Sequence, residues 1–233
     1  MICLLSGGVD SVAAWRLLGL PTAVHFTLGT VSTNRERRTI HWCQSRFAAP
    51  ILFRELPMGS AERGNGWLPF RNSLLVLSAA QIDPEVVLGA VAEWAPDKNL
   101  RWARRLERAV NQAGAAAGNS EKLQIRLPFA HLSKGELLMQ YHQRFGELDT
   151  AELLANTWSC YQSLPRPCGK CGGCRQRIAA EHQYALLSGT TRPPEGAHRW
   201  RIPVSDRIRW VRDNRVLGIR QLVAHARQDD ALP

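Results

Sequence analysis

Six residues near the beginning of the sequence, Ser6-Gly7-Gly8-Val9-Asp10-Ser11, constrain the fold more than any other stretch. A short apolar run at 2–5 precedes them, and a helix-compatible stretch follows. Paired glycines let a backbone turn tightly and bring its N–H groups towards an anion, which a helix N-terminus also attracts. The stretch therefore predicts a strand, an anion-binding turn and a helix, although two glycines and two serines also suit an ordinary βα turn.

Apolar runs alternate with helix-compatible stretches through the first two thirds of the sequence. This alternation is typical of crossover units, which build a parallel sheet with helices on both faces. We therefore predict an α/β fold with a doubly wound, five-stranded, Rossmann-like parallel sheet. The expected strands are 2–5, 22–28, 51–56, 86–91 and 123–126, and the expected helices are 10–18, 34–47, 72–80, 100–113 and 133–145.

The formal net charge of +10 favours an anionic partner. Only four of the 30 basic residues are lysines, and arginine binds phosphate and carboxylate through two parallel hydrogen bonds. A high-GC genome would also supply scattered arginines, and the basic stripe of the helix at 100–113 also suits a solvated face. No apolar run reaches the roughly 18 residues of a membrane helix, and 1–5 is too short for a signal peptide. We therefore predict a cytoplasmic protein without a membrane partner.

The glycine loop differs from the common nucleotide-binding sequences, because it lacks both the Walker A lysine and the G-x-G-x-x-G spacing. A loop that grips pyrophosphate without that lysine suits chemistry at the α-phosphate of ATP. Ser6 and Ser11 can add hydroxyl donors, and Asp10 can cap the helix or bind Mg²⁺. The S-G-G-x-D-S sequence resembles the pyrophosphate loop of the ATP pyrophosphatase superfamily, whose members adenylate carbonyl or carboxyl oxygens.

Four of the six cysteines fall within fifteen residues: Cys160, Cys168, Cys171 and Cys174. Glycines between them permit the tight turns that aim several thiolates at one point. Four such sulfurs predict a closed, structural Zn²⁺ site, whereas a disulfide pair or an iron–sulfur cluster is the alternative.

The surrounding stretch TWSCYQSLPRPCGKCGGCRQR, at 157–177, resembles the T-x-S-C-Y…C-G-x-C-x-x-C-x-x-R signature of the 7-cyano-7-deazaguanine synthase (QueC) family. Weaker similarities follow the same order along the chain. LPFRN at 68–72 resembles the P-G-R-N motif with Phe70 in place of glycine, and 126–138 resembles the P-x-x-x-L-x-K-x-E segment. The resemblance covers about residues 2–185.

The resemblance implies a carbon–nitrogen ligase that uses ATP to adenylate the carboxylate of 7-carboxy-7-deazaguanine. Ammonia would displace AMP, and the resulting amide would be dehydrated to a nitrile. The implied cofactors are ATP with Mg²⁺ and one structural Zn²⁺, and the implied assembly is a homodimer. By matched position, the nucleotide would be held by Ser6, Gly7, Gly8, Val9, Asp10, Ser11 and Asn72. The implied catalytic residues are Asp10, Ser11, Lys134 and Arg71. The implied deazaguanine contacts are Asp97, Ser159, Tyr161 and Arg177. Alternatively, Arg71 and Arg177 each suit a simple ion pair with an acidic residue.

Three stretches depart from the family pattern. The segment that shapes the deazaguanine pocket keeps only Pro96-Asp97, and the D-Y-G-Q motif is replaced at 27–30, although Glu36 is a candidate for its acidic partner. The arginine-rich end is longer than usual, and 207–214 suits a small hairpin. We divide the sequence into an ATP-binding α/β domain at 1–150, a zinc-binding subdomain of helix and loop at 151–187 and a basic extension at 188–233.

These departures leave the final acceptor open. The first hypothesis is a synthase that acts on a free small molecule. The second is a QueC-like enzyme of an antiviral defence system, which joins a deazaguanine carboxylate to an amine of a partner protein that the basic extension recruits. A third, a tRNA-modifying enzyme, fits Trp200 and Trp210 among arginines but lacks a catalytic cysteine pair. A non-catalytic binding module is a fourth, and the unbroken loop sequence argues against it.

Overall fold

A computed structural model describes residues 1–64, 66–92, 97–162 and 164–189. Its elements confirm the predicted alternation, with boundaries that lie close to the expected ones for the first nine elements. In chain order they are β1 (Ile2–Leu4), α1 (Val9–Leu17), β2 (Ala23–Thr27), α2 (Thr33–Phe47), β3 (Ile51–Glu55), α3 (Arg71–Ala80), β4 (Glu85–Leu88), α4 (Leu100–Ala116), β5 (Gln124–Arg126), α5 (Lys134–Asn156) and α6 (Gly172–Leu187). A 3-10 turn at Gly59–Ala61 lies between β3 and α3.

The five strands form one parallel sheet in the order β3-β2-β1-β4-β5. Cys3 is in register with Ala23 on one side and with Val87 on the other, so β1 lies at the centre. The chain adds strands on one side of β1 and then crosses to the other. Ligands of such sheets bind at this reversal point, beyond the carboxyl ends of the strands. The α/β prediction is confirmed.

Side chains of each strand alternate between two cores, because successive residues of a strand point to opposite faces. In β1, Ile2 packs with the core beneath α3 and α4, whereas Cys3 packs with the core beneath α1, α2, α5 and α6. The second core includes Trp15 and Tyr141, both buried. The sheet is therefore covered on both faces, and its loops remain at the edges.

Two helix starts near the site are capped by side chains. The Asn99 side chain accepts from the Trp102 amide at the start of α4. At the start of α5, Ser133 and Glu136 form a capping box, which satisfies amides that the helix itself leaves without partners. The box fixes Lys134 as the first helical residue of α5.

The last two helices are longer than the sequence predicts, since the expected helices are 133–145 and, after the cysteines, 175–187. Gly146 has φ 86° and ψ 177°, a conformation open to glycine, yet the helix resumes and continues to Asn156. The Thr150 hydroxyl bridges the interruption by donating to the Gly146 carbonyl at 2.8 Å. The division at 150/151 consequently falls inside α5, and α6 begins within the cysteine cluster rather than after it.

The division of the chain into domains stays a prediction, and the hairpin expected at 207–214 lies outside the described residues. Within the described residues, no helix is both long and apolar enough to span a membrane.

Candidate functional site

A cleft of about 220 Å³ opens at the carboxyl edge of the sheet, beside the reversal point between β1 and β4. Its walls come from the glycine loop, the chain after β2, the start of α3 and the segment 158–161. The structure brings most of the predicted site residues together here. The ones that line the cleft are Ser6, Gly8, Val9, Asp10, Ser11, Arg71, Asn72, Lys134, Ser159, Cys160 and Tyr161.

The glycine loop is shaped by its own hydroxyls. The Ser6 and Ser11 Oγ atoms lie 3.0 Å apart, and the Ser11 hydroxyl donates to the Gly8 carbonyl at 2.9 Å. Gly7 has φ +80°, and a Cβ atom there would lie 3.0 Å from the Glu36 carbonyl oxygen. Only glycine combines this dihedral with this approach to α2, so the loop sequence is demanded by geometry as well as by any ligand.

The residues that begin α1 line the cleft. Gly8 is the N-cap residue and supplies no side-chain cap, so the expectation that Asp10 caps the helix is wrong. The first amides of a helix lack intrahelical partners, and together with the helix dipole they form a site that attracts phosphate. This location agrees with the predicted pyrophosphate loop.

Asp10 pairs with a lysine that lies far away in the sequence. Lys134 Nζ is 3.0 Å from Asp10 Oδ2, and both side chains are mostly buried. Lys134 Nζ also donates to Gln176 Oε1 at 3.3 Å. The loop has no lysine of its own, but α5 places one against it. Lys134 begins α5, yet its side chain is mostly shielded from solvent there.

The other oxygen of Asp10 is a candidate metal ligand. Asp10 Oδ1 is buried and accepts no hydrogen bond from the described residues. Mg²⁺ in nucleotide sites is held by one or two carboxylates together with phosphate oxygens. The buried oxygen and the phosphate-attracting amides beside it fit a magnesium–nucleotide complex.

The wall beyond β2 carries two acids and an arginine. Glu36 accepts a hydrogen bond from the Ser32 hydroxyl at 2.9 Å, and Glu62 accepts from the Val31 amide at 2.9 Å. Burial raises the pKa of Glu36, while the Ser32 hydrogen bond and the charge of Arg71 oppose that rise. Asn72 is buried in the first turn of α3. Sequence similarity indicated Arg71, Asn72 and Glu36, whereas the sequence around Glu62 gave no signal.

The segment 158–161 forms the wall that faces the loop. The Trp158 amide donates to the Gly7 carbonyl at 3.0 Å, and its indole Nε1 donates to the Cys160 carbonyl at 2.7 Å. Arg35 Cζ lies 4.9 Å from the Trp158 ring. Trp158 occupies the variable position of the T-x-S-C-Y motif, so the sequence carries no signal for its role.

The four clustered cysteines lie at the base of this wall, with their Sγ atoms all within 4.8 Å of one another. Sγ of Cys168 is 3.7 Å from Sγ of Cys174, and Sγ of Cys171 is 3.9 Å from Sγ of Cys160. Zn–S bonds of about 2.3 Å in a tetrahedron give S···S edges of about 3.8 Å. The arrangement therefore fits zinc, and a disulfide, with sulfurs about 2.05 Å apart, does not match it.

Backbone amides support the thiolate form of these cysteines. Five N–H groups, those of Tyr161, Gln162, Cys168, Cys171 and Cys174, lie within 3.5 Å of a cluster sulfur. Hydrogen bonding to Cys174 lowers the pKa of the Cys171 thiol to about 4, whereas burial raises the pKa of Cys160 and hydrogen bonding to Cys171 raises that of Cys174. Thiolates are the metal-binding form of cysteine. The donor set consequently fits a structural Zn²⁺ ion.

Two predicted substrate contacts are not among the residues that line the cleft. Arg177 is fully buried, forms an ion pair with Glu181, and donates to the Thr157 hydroxyl and the Leu154 carbonyl. Asp97 lies in a turn before α4, and its neighbour Lys98 lines the cleft instead. Pro96 lies outside the described residues. The roles of Arg177 and Asp97 towards a substrate stay predictions.

Comparison with known proteins gives a consistent result. Residues 50–185 match the family model described as "Queuosine biosynthesis protein QueC". A Campylobacter hominis protein named 7-cyano-7-deazaguanine synthase is 26% identical, over 76% of this chain and 92% of its own length. Proteins of the same name from Aliarcobacter butzleri and Saccharolobus solfataricus are 28% and 26% identical, over 76% and 77% of this chain and 88% and 44% of their own lengths.

Proposed function

Because this chain belongs to the QueC family, we propose that it is an ATP-dependent ligase that adenylates the carboxylate of a 7-deazaguanine and then joins it to an amine. The proposed substrate is 7-carboxy-7-deazaguanine, and the proposed products of the activation step are an acyl adenylate and pyrophosphate. The observation that carries the proposal is the Asp10–Lys134 pair, which joins α5 to an unbroken S-G-G-x-D-S loop at the sheet's reversal point.

The residues that line the cleft support activation at the α-phosphate. The α1 amides and the hydroxyls of Ser6 and Ser11 would hold the departing pyrophosphate. A substrate carboxylate oxygen forms a bond to the α-phosphorus, and the bond to the pyrophosphate oxygen breaks with its electron pair. The Lys134 ammonium lies 3.0 Å from Asp10, and it would neutralise the negative charge that develops on the phosphate oxygens during this step.

The second step needs an amine in its neutral form. The amine nitrogen forms a bond to the acyl carbon, AMP leaves with the electron pair of the acyl–oxygen bond, and the nitrogen releases a proton. Arg71 would hold the phosphate of the departing AMP. Mg²⁺ on Asp10 would screen phosphate charge, and Zn²⁺ on the four cysteines would hold the wall at 158–161 in place.

The test is an assay of AMP and pyrophosphate release. We expect the protein to release both only when ATP and 7-carboxy-7-deazaguanine are present together. Asp10→Ala should keep the circular dichroism spectrum and lose at least a hundredfold of the rate, because the variant loses the partner of Lys134 and a ligand for Mg²⁺. Glu121→Ala, a change of an exposed acid outside the cleft, is the control. Full activity of the Asp10 variant would refute the proposed role of the loop.

The identity of the amine is read from the product mass. Ammonia is the acceptor that we propose. Formation of an amide and then a nitrile from ammonia would indicate a 7-cyano-7-deazaguanine synthase. A mass gain on a partner protein would show that the acceptor is an amine of that protein and not ammonia. If no AMP forms with either acceptor, the ligase proposal itself is wrong.

A further inference from the structure

We propose that the metal-binding segment sets the affinity of the glycine loop for pyrophosphate, and that the backbone amide of Trp158 is the link between them. The inference rests on the proposed function only in taking the loop as a pyrophosphate site. It adds a regulatory dependence: metal occupancy at the four cysteines controls nucleotide binding, and Trp158 is a positioning residue.

The link acts on one particular peptide group of the loop. The Trp158 amide donates to the Gly7 carbonyl at 3.0 Å. This carbonyl and the Gly8 N–H belong to the same planar, trans peptide unit, so they point in opposite directions. Holding the carbonyl towards Trp158 therefore aims the Gly8 N–H away from it, towards the Ser6 hydroxyl, which accepts from it at 3.4 Å and also lines the cleft.

Gly7 would otherwise leave this peptide free to rotate. Its φ of +80° lies in the region that glycine enters at little cost, and glycine enters several other regions as readily. The Ser6 and Ser11 hydroxyls hold the Gly8 side of the turn, through a 2.9 Å bond from Ser11 to the Gly8 carbonyl. Among the described residues, the Gly7 carbonyl accepts a hydrogen bond from Trp158. The orientation of the peptide is thus set by Trp158 at its carbonyl end and by the longer Ser6 contact at its amide end, so it changes when Trp158 moves.

The position of Trp158 depends in turn on the cysteine cluster. Its indole Nε1 donates to the Cys160 carbonyl at 2.7 Å, and Cys160 is one of the four ligands. The Tyr161 amide points at Cys171 Sγ, 3.5 Å away. Gly173, at the start of α6, lies so close to Ser159 that a Cβ atom would come within 1.9 Å of its carbonyl oxygen. The cluster therefore fixes residues 159–161 against α6.

The other end of the segment is held independently of the metal. The Thr39 hydroxyl donates to the Asn156 carbonyl at 2.8 Å, and Arg177 holds the Thr157 hydroxyl at 2.9 Å. Trp158 lies between this anchor and Cys160. Loss of the metal would release the Cys160 side alone, so we expect the Gly7 carbonyl to lose its partner while the sheet remains folded.

The first test separates the amide from the indole ring. Trp158→Pro and Trp158→Ala both remove the ring, but only proline removes the N–H. Thr157 has ψ 150°, the extended conformation that a residue before proline requires. Proline Cδ would take the place of the amide hydrogen, so the Gly7 carbonyl would have to turn away from position 158. Affinity for pyrophosphate, measured by titration calorimetry, should be about fivefold weaker in the proline variant than in the alanine variant. Both variants should retain one zinc per chain.

The second test removes the metal. Chelator-treated wild-type protein, with its helix content checked by circular dichroism, should bind pyrophosphate and ATP at least tenfold more weakly, and added Zn²⁺ should restore binding. In Trp158→Pro the same treatment should weaken binding by less than threefold, because the link is already broken. This loss of additivity distinguishes a positioning role from a merely structural one.

The outcomes separate the two proposals. Equal affinities in the proline and alanine variants, or unchanged affinity after metal removal, overturn the coupling and leave the ligase proposal in place. Zinc-loaded wild-type protein that binds neither pyrophosphate nor ATP overturns both. If chelation unfolds the protein, the two Trp158 variants still decide the question in the zinc-loaded state.

Discussion

At the scale of single residues, Arg177 illustrates how a position in a motif differs from a position in space. It follows the last cysteine ligand, which suggested a contact with substrate. In the structure its guanidinium is fully buried between α5 and α6, beside Glu181, Thr157 and the Leu154 carbonyl. A buried charge is tolerated only when it is paired, so removal of one partner strongly lowers the free energy of unfolding.

We therefore expect Arg177→Met to lower the free energy of unfolding by about 3–5 kcal/mol, because Glu181 would remain buried without its partner. Urea denaturation followed by circular dichroism measures the change. The double variant Arg177→Met/Glu181→Leu should recover part of the loss, since it leaves no unpaired charge. A single variant that is as stable as the wild type would show that the pair contributes nothing.

Phe70 stands where the family motif has glycine, and the structure shows the consequence. The residue has φ 56° at the N-cap of α3, and 75% of its surface is exposed. A side chain in this left-handed region is strained, and an exposed ring gains little in return.

Phe70→Gly should consequently raise the free energy of unfolding by about 1 kcal/mol. Phe70→Ala is the matched control, because alanine keeps the strain while losing the same ring. Thermal unfolding compares the three proteins. A gain in the alanine variant as large as in the glycine variant would attribute the effect to the exposed ring instead of the backbone.

At the scale of elements, the site depends on how closely α1 approaches the end of β4. A Cβ atom on Gly89 would lie 2.7 Å from the Ser11 Cα and 2.8 Å from the Asp10 carbonyl oxygen. These atoms belong to the backbone and cannot rotate away. Any larger residue at position 89 must push the first turn of α1 from the sheet.

Gly89→Ala should therefore weaken pyrophosphate binding at least tenfold, because the α1 amides would leave their positions in the cleft. Titration calorimetry gives the affinity. Gly114→Ala is the control, since its Cβ would meet only Asn119, at 3.7 Å, and alanine favours a helix. If the two variants bind pyrophosphate equally well, the close approach has no role in the site.

Elements could be predicted wherever hydrophobic periodicity reports on burial. The β1 and β2 strands are short apolar runs, and their predicted boundaries differ from the observed ones by one residue at each affected end. Periodicity failed at Gly146, because a single residue with positive φ interrupts α5 without ending it. The capping box at Ser133, by contrast, is a local sequence signal for the start of α5.

The site was predictable only where one short stretch builds it. The loop at 6–11 and the four cysteines are such stretches. The contacts between Trp158 and Gly7 and between Lys134 and Asp10 join residues more than a hundred positions apart. No pattern in one sequence pairs such residues, because the fold alone brings them together.

At the scale of the whole molecule, the cysteine cluster ties the last described elements to the sheet. Cys171→Ser should lower zinc to well below one equivalent per chain, measured by atomic absorption, and should lower the unfolding temperature, since structural zinc contributes folding energy directly. Cys43→Ala alters a buried cysteine outside the cluster and should retain zinc. One equivalent of zinc in the Cys171 variant would show that the metal does not need the Cys171 sulfur.

Cytoplasmic localisation, the homodimer, and recruitment of a nucleic acid or partner protein by the basic extension stay predictions. The homodimer is implied by the family resemblance alone, and the signals for the others are charge and composition, which describe what a surface attracts but not where its groups lie. Residues 190–233, which carry most of the extension, lie outside the described residues.

The central place of β1 also affects how this chain is made. Its two partners in the sheet, β2 and β4, both lie later in the chain, and β4 begins only at Glu85. During synthesis, β1 leaves the ribosome before both of these partners and keeps one edge unpaired until about eighty more residues have followed. An open apolar edge of this kind recruits other strands. We expect the nascent chain to need chaperone protection over that interval, and a premature stop before β4 to produce an insoluble fragment.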